Sequence, residues 1–269
     1  MLQAEGYVVD TKKIDITDAQ TVESHILQIK PDYIINLAGI SFVPDGGDAS
    51  IYAINTFGPQ NILNACLKLE KKPRKIILAS SSHIYGEQKI ELIDESCQAN
   101  PINHYGCSKL AMEQMAKTYQ NKLNILITRP FNYTGCGQSD KFLIPKIIQQ
   151  FKEKKSSVSL GNIDIWRDFS DVRWIAKMYM QLLKSSQNEA VQVVNLCSEK
   201  LVSIRDVIYF LQDLSQYTIK IEINPDFVRA SDLKKQRGSS ARLNEILGPE
   251  VELQNIKDTL QWMLNNKYD

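Results

Sequence analysis

Two places in the sequence put a lysine four residues after a tyrosine, Tyr85–Lys89 and Tyr105–Lys109. On a helix that spacing stacks both side chains on one face. An ammonium held there stabilises the phenolate, lowers the phenol pKa and lets tyrosine move a proton near neutral pH. The pattern is common by chance in a chain with 11 tyrosines. Tyr85 precedes Gly86 in a strand-to-loop passage, where helical spacing need not hold, so that pair reads as coincidence. Tyr105 opens a helical stretch, HYGCSKLAMEQMAKTYQ at 104–120, and Ser81 ends the strand before it. Ser81, Tyr105 and Lys109 could bind a carbonyl oxygen and deliver a proton to it. His83 adds an imidazole that titrates near neutral pH. The plainer alternatives are a helix-start aromatic, a solvated lysine and a loop histidine bonded to backbone.

These groups need elements to hold them. Strand-like stretches YVV (7–9), YIINLA (33–38), KIILASS (75–81) and NILITRP (124–130) alternate with helical ones at 18–29, from about Ile51 to Leu69, and at 104–120. Continuous apolar strands joined by amphipathic helices predict an α/β fold, a doubly wound parallel sheet covered on both faces. Ligands in such folds sit beyond the carboxyl ends of the strands. Those places hold Gly39-Ile40-Ser41, Ser80 to His83 and Phe131-Asn132-Tyr133. After Pro130 the alternation breaks down, which predicts a smaller C-terminal substrate lobe. The division is a cofactor-binding part at 1–131, rejoined by segments near 158–175 and 190–198, and a lobe mainly at 132–269.

Composition narrows the class. With 32 Lys+Arg against 31 Asp+Glu, the net charge of +1 gives no reason to expect nucleic acid or a membrane surface as partner. No stretch approaches the ~18 apolar residues of a spanning helix, and no signal pattern opens the chain. Five scattered cysteines without a CxxC pair, and three histidines, show no metal-ligand cluster. A reduced, cytoplasmic protein without metal is the expectation.

SSSHIYG followed by HYGCSK resembles the Ser–Tyr–Lys site of the extended short-chain dehydrogenase/reductase (NAD-dependent epimerase/dehydratase) family, and the likeness runs along nearly the whole chain. It implies a Rossmann-like fold, NAD or NADP as cofactor, a nucleotide-sugar substrate and a homodimer. Ser81, Tyr105 and Lys109 would be catalytic, with His83 as an additional candidate. DITD (15–18), INLAG (35–39) and NTFGPQN (55–61) are similar to cofactor segments, and RPFNYTGCGQ (129–138) resembles the segment that brackets nicotinamide and then substrate. They imply cofactor contacts at Asp15, Ile16, Leu37, Ala38, Gly39, Asn55 and Phe131, besides Tyr105 and Lys109. LGNIDIWRDFSDVR and NPDFVRASD point to the branch handling GDP-linked 6-deoxy sugars, the GDP-4-dehydro-6-deoxy-D-mannose reductases and the related GDP-mannose 4,6-dehydratases. Substrate contacts are then implied at Ser82, His83, Asn132, Gln138, Arg167, Arg229 and Asp232. Physically, Arg167 and Arg229 suit bidentate binding of a pyrophosphate. The alternative for each is a surface ion pair with Asp168 or Asp232.

Within the branch, 4,6-dehydratases carry a glutamate two residues before the tyrosine of the YG pair, where this sequence has His83. A ketone reduction needs no such carboxylate. The expected function is therefore NAD(P)H-dependent reduction of the C4 ketone of a GDP-linked 4-keto-6-deoxyhexose in deoxysugar biosynthesis, as for a GDP-rhamnose-type product. The alternatives are a 4,6-dehydratase or epimerase, or an inactive nucleotide-sugar-binding or interaction protein. The last arises because GxxGxxG occurs nowhere and MLQAEGYVVD reads as the tail of a first helix, so an N-terminally truncated Rossmann domain is expected. Asp10 followed by Lys12 and Lys13 gives a mixed signal between NAD and NADP.

Overall fold

The computed structural model describes residues 1–41, 49–185, 191–227, 233–248 and 255–266. In chain order its helices are α1 (Ala19–Ile29), α2 (Ser50–Tyr52), α3 (Gly58–Lys68), α4 (His104–Lys117), α5 (Leu143–Lys152), α6 (Val172–Lys184), α7 (Ile204–Ser215), α8 (Ala241–Leu247) and α9 (Ile256–Asn265). Its strands are β1 (Tyr33–Asn36), β2 (Lys75–Ala79), β3 (Ile125–Pro130), β4 (Asn132–Thr134), β5 (Ser157–Leu160), β6 (Trp166–Asp171), β7 (Val191–Leu196), β8 (Leu201–Ser203), β9 (Lys220–Ile223) and β10 (Lys235–Gln236).

The main sheet runs β1-β2-β3-β7, all parallel. Alternate residues of a strand face opposite ways, and here both faces are covered. Ile76, Leu78, Ile125 and Ile127 meet α1, α3 and α4 through Val22, Leu63 and Met112. Ile77 and Leu126 meet α6 and α8 through Trp174, Met178, Leu182 and Leu243. That double burial is why KIILA and ILIT read as unbroken apolar runs. Asp18 caps α1 by accepting from the amides of Gln20 and Thr21, and Asn103 caps α4 by accepting from Gly106.

The expected strand at 7–9 is not formed: residues 7–13 have no regular structure and Val8 is fully exposed. A strand needs a neighbour for its backbone groups, and β1 forms the edge of the sheet with no described strand beside 7–9. The helix expected from about Ile51 to Leu69 is α2 and α3 joined by a π-helical turn at Ala53–Phe57. A second sheet, β10-β6-β4 with β8 antiparallel to β6, lies after Pro130, and β5 pairs with β9. Residues 191–196 stand beside β3 in the main sheet, whereas 166–171 belong to the second sheet. A separate core of Ile147, Ile148, Val158, Val207, Leu211 and Leu260 knits α5, α7 and α9 together.

Candidate active site

A cavity of about 1320 Å³ opens at the carboxyl end of the main sheet and extends to β6 and α5. Ser81, Tyr105 and Lys109 all line it. Ser81 leaves β2 in an extended conformation and its Oγ caps the short turn Ser82–Ile84 by accepting the His83 N–H at 3.2 Å. Tyr105 and Lys109 stand one turn apart on α4. Burial pushes the Tyr105 hydroxyl up to about 12, while a hydrogen bond with Ser81 pulls it back. The expected lowering of Tyr105 by Lys109 is not found. The Lys109 ammonium instead donates to the Ala79 carbonyl at 2.7 Å. Burial pushes Lys109 down to about 8, against the attraction of Glu113 one turn further along α4. Among the described residues, the site thus holds a neutral phenol beside an ammonium kept by the Ala79 carbonyl and the Glu113 carboxylate.

Asn55 lies in the π turn and is fully buried. Its Oδ1 accepts the Ile40 N–H at 2.9 Å, and its Nδ2 donates to the Ile40 carbonyl and to Ser108 Oγ, both at 3.0 Å. Those three bonds tie the loop after β1 to α4 beside Lys109. A Cβ on Gly39 would sit 3.0 Å from Asn55 Oδ1 and 3.2 Å from Lys109 Nζ. The glycine therefore leaves the only room for that close approach. π turns are commonly found at functional sites, and this one re-aims a single side chain into the clamp.

Of the other expected cofactor residues, Leu37, Gly39 and Phe131 line the cavity. Ala38 lies between Leu37 and Gly39, its N–H donating to Asn36 Oδ1. Asp15 and Ile16 lie outside the cavity. Asp15 lines a shallow groove with Lys12, Lys13 and His25, and its carboxylate is held below its usual range by the Thr17 hydroxyl and amide. Ile16 packs against Gly58. Asp10 contacts His25 at 3.1 Å and accepts from the Lys12 amide.

Of the expected substrate residues, His83, Asn132, Gln138 and Arg167 line the cavity. Ser82 does not; it is buried, and its carbonyl accepts from Gln236 at 3.0 Å. Arg167 donates to the carbonyls of Trp166 and Leu233. Asp168, its suspected partner, points into the protein, where its carboxylate accepts from Ser198, Glu199 and Gly238. Arg229 and Asp232 lie outside the described residues. Sequence reasoning missed Tyr179, whose hydroxyl meets Thr128 at 2.7 Å at the cavity wall, and Lys146, whose ammonium lies 4.6 Å from the centre of the Phe227 ring. Only Lys146 had a legible signal, its place on the polar side of an amphipathic helix.

Tyr85 is buried away from the chemistry. Its hydroxyl donates to Asn195 at 2.7 Å and accepts from Arg129 at 2.8 Å, and Arg129 is paired bidentately with Glu113. Two buried polar atoms on the cavity wall, Ser80 Oγ and Asn132 Nδ2, have no partner among the described residues. Such atoms are costly unless a ligand satisfies them. Together with the Tyr105–Lys109 pair and the clamped loop, the Ser80 hydroxyl fits the nicotinamide and ribose end of a dinucleotide cofactor, and the Asn132 amide remains for a substrate. Among the described residues no three His, Cys, Asp or Glu side chains gather as a metal site, and no helix is long and apolar enough to cross a membrane.

Comparison with known proteins agrees with this geometry. A GDP-6-deoxy-D-talose 4-dehydrogenase of Aggregatibacter actinomycetemcomitans is 32% identical over 94% of this chain and 86% of its own. A GDP-6-deoxy-D-mannose reductase of Pseudomonas aeruginosa is 34% identical over 88% of this chain and 80% of its own. The solved structure of RMD from Pseudomonas aeruginosa complexed with NADPH superposes with a TM-score of 0.85 at 29% identity, covering 96% of this chain and 88% of that one. The sequence profile of the GDP-mannose 4,6 dehydratase family matches residues 4–260. The chain belongs to that family, among the extended short-chain dehydrogenases/reductases.

Proposed function

We propose that the protein reduces the C4 ketone of a GDP-linked 4-keto-6-deoxyhexose, using NADH or NADPH. The observation that carries this reading is the meeting of Ser81, Tyr105 and Lys109 in one cavity, with His83 where elimination in this group uses a carboxylate. Both relatives are named for redox chemistry on a GDP-6-deoxyhexose, one as a 4-dehydrogenase and one as a reductase. They differ in the sugar, so the configuration at C4 is left to the product.

A bound reduced nicotinamide supplies the hydride. Ser81 Oγ and the Tyr105 hydroxyl hold the C4 oxygen, and Tyr105 gives it a proton as charge develops there. A phenol raised by burial remains a stronger acid than an alcohol, so this transfer runs downhill. Lys109 holds the cofactor ribose. Asn132 orients the sugar, Phe131 borders the nicotinamide and Gln138 faces the hexose. Arg167, with Arg229 and Asp232, serves the nucleotide end. A homodimer through the helices at 50–68 and 104–117, in the cytoplasm, completes the reading.

Purified protein mixed with GDP-4-keto-6-deoxymannose and NADPH or NADH should consume cofactor and yield a GDP-6-deoxyhexose, identified by mass and NMR. Tyr105→Phe should lower turnover by about 10²–10⁴-fold while leaving the unfolding midpoint nearly unchanged. No product with either cofactor would rule the reading out. Formation of the keto sugar from GDP-mannose would favour dehydration, the activity named by the family profile.

A further inference from the structure

The steps above leave the phenolate of Tyr105 to be recharged with a proton. Lys109 spends one of its three N–H groups on the Ala79 carbonyl and keeps the others for the cofactor ribose. Ser81 offers a separate route. Its Oγ hydrogen-bonds Tyr105, accepts the His83 amide at 3.2 Å and lies 3.1 Å from His83 Nδ1. The turn at Ser82–Ile84 folds the imidazole back over residue 81 and sets it edge-on to Tyr105, with ring centroids 5.3 Å apart at 74°. The imidazole also lines the cavity, which puts the chain of contacts within reach of water.

We propose that His83 recharges Tyr105 through Ser81 Oγ, forming a proton relay from solvent to the carbonyl oxygen. This rests on the reductase reading. When the hydride reaches C4, the reduced nicotinamide loses two electrons and the carbonyl gains them. The Tyr105 O–H bond breaks as the new O–H at C4 forms. Once the alcohol has formed, the Ser81 hydroxyl turns from it to the phenolate and passes its proton there, the His83 Nδ1 proton passes to Ser81, and a solvent proton joins His83 Nε2. The imidazole ends neutral in its other tautomer, and the net proton comes from water. An imidazole suits this work because it can gain a proton at one nitrogen while losing one at the other. His83 acts through Ser81 and is a relay and positioning residue.

Two variants test the relay. His83→Gln keeps a hydrogen-bonding group beside Ser81 and cannot shuttle protons. His83→Ala opens space for a free azole. Both should lower turnover by about a hundredfold, with KM for the sugar changed far less. Imidazole and methylimidazoles should restore His83→Ala in an order set by azole pKa, and non-basic azoles of equal size should not. Wild-type turnover in His83→Gln would overturn the relay. So would a loss that no azole restores, or one that basic and non-basic azoles restore equally, since each would give His83 a purely structural role. A wild-type protein without reductase activity would instead overturn the function on which the relay rests.

Discussion

Lys109 keeps a charge in a place that burial disfavours, and the arrangement has a measurable signature. In the unfolded chain a lysine stays protonated to about pH 10.4, whereas here burial brings it to about 8. Between those values the unfolded state binds more protons, so this group makes the fold more stable as pH rises. Lys109→Met removes the effect. The unfolding free energy of the wild type minus that of the variant should climb by roughly 1–3 kcal/mol between pH 8 and 10, followed by urea titration. A flat difference would show that the ammonium is well solvated. The i, i+4 spacing of Tyr105 and Lys109 and the position of Ser81 were legible because they are local. The Ala79 carbonyl that holds Lys109 was not, since it depends on where the end of β2 falls against α4.

At the scale of elements, the π turn between α2 and α3 builds the site. It turns Asn55 inward, and Asn55 carries the backbone of Ile40 and the Ser108 hydroxyl together. Asn55→Ala leaves several buried groups without partners and should cost about 3 kcal/mol in chemical unfolding. Gly39→Ala should act differently. Its added methyl presses on Asn55 Oδ1 and Lys109 Nζ, so turnover should fall more than tenfold for a loss of only about 1 kcal/mol in stability. Glu113→Gln strips the buried Arg129 of its countercharge and should cost about 3–5 kcal/mol. The α1, α4, β2 and β3 stretches could be read from apolar runs and capping residues. The second sheet could not, because WRDFSD mixes two aromatics with four polar residues and pairs with β4, β8 and β10, which are distant in sequence. Its buried Asp168 is stabilised by donors from residues 198, 199 and 238, and nothing in the local pattern announces them.

Across the whole molecule, the cavity joins the carboxyl rim of the main sheet to β6 and α5, so it has room for one ligand to reach both parts. GDP at a hundred times its dissociation constant should stabilise the fold by about 2.7 kcal/mol, seen as a rise in the unfolding midpoint. Arg167→Ala should lose most of that rise, beyond the lowering of the unliganded midpoint that follows from its lost bonds to the Trp166 and Leu233 carbonyls. The central claim concerns one bond at C4, and isotope transfer tests it most directly. With the protein, GDP-4-keto-6-deoxymannose and nicotinamide cofactor carrying deuterium at its hydride position, the expected product is a GDP-6-deoxyhexose with deuterium on C4. Recovery of unlabelled keto sugar, or label at any other carbon, would contradict the account.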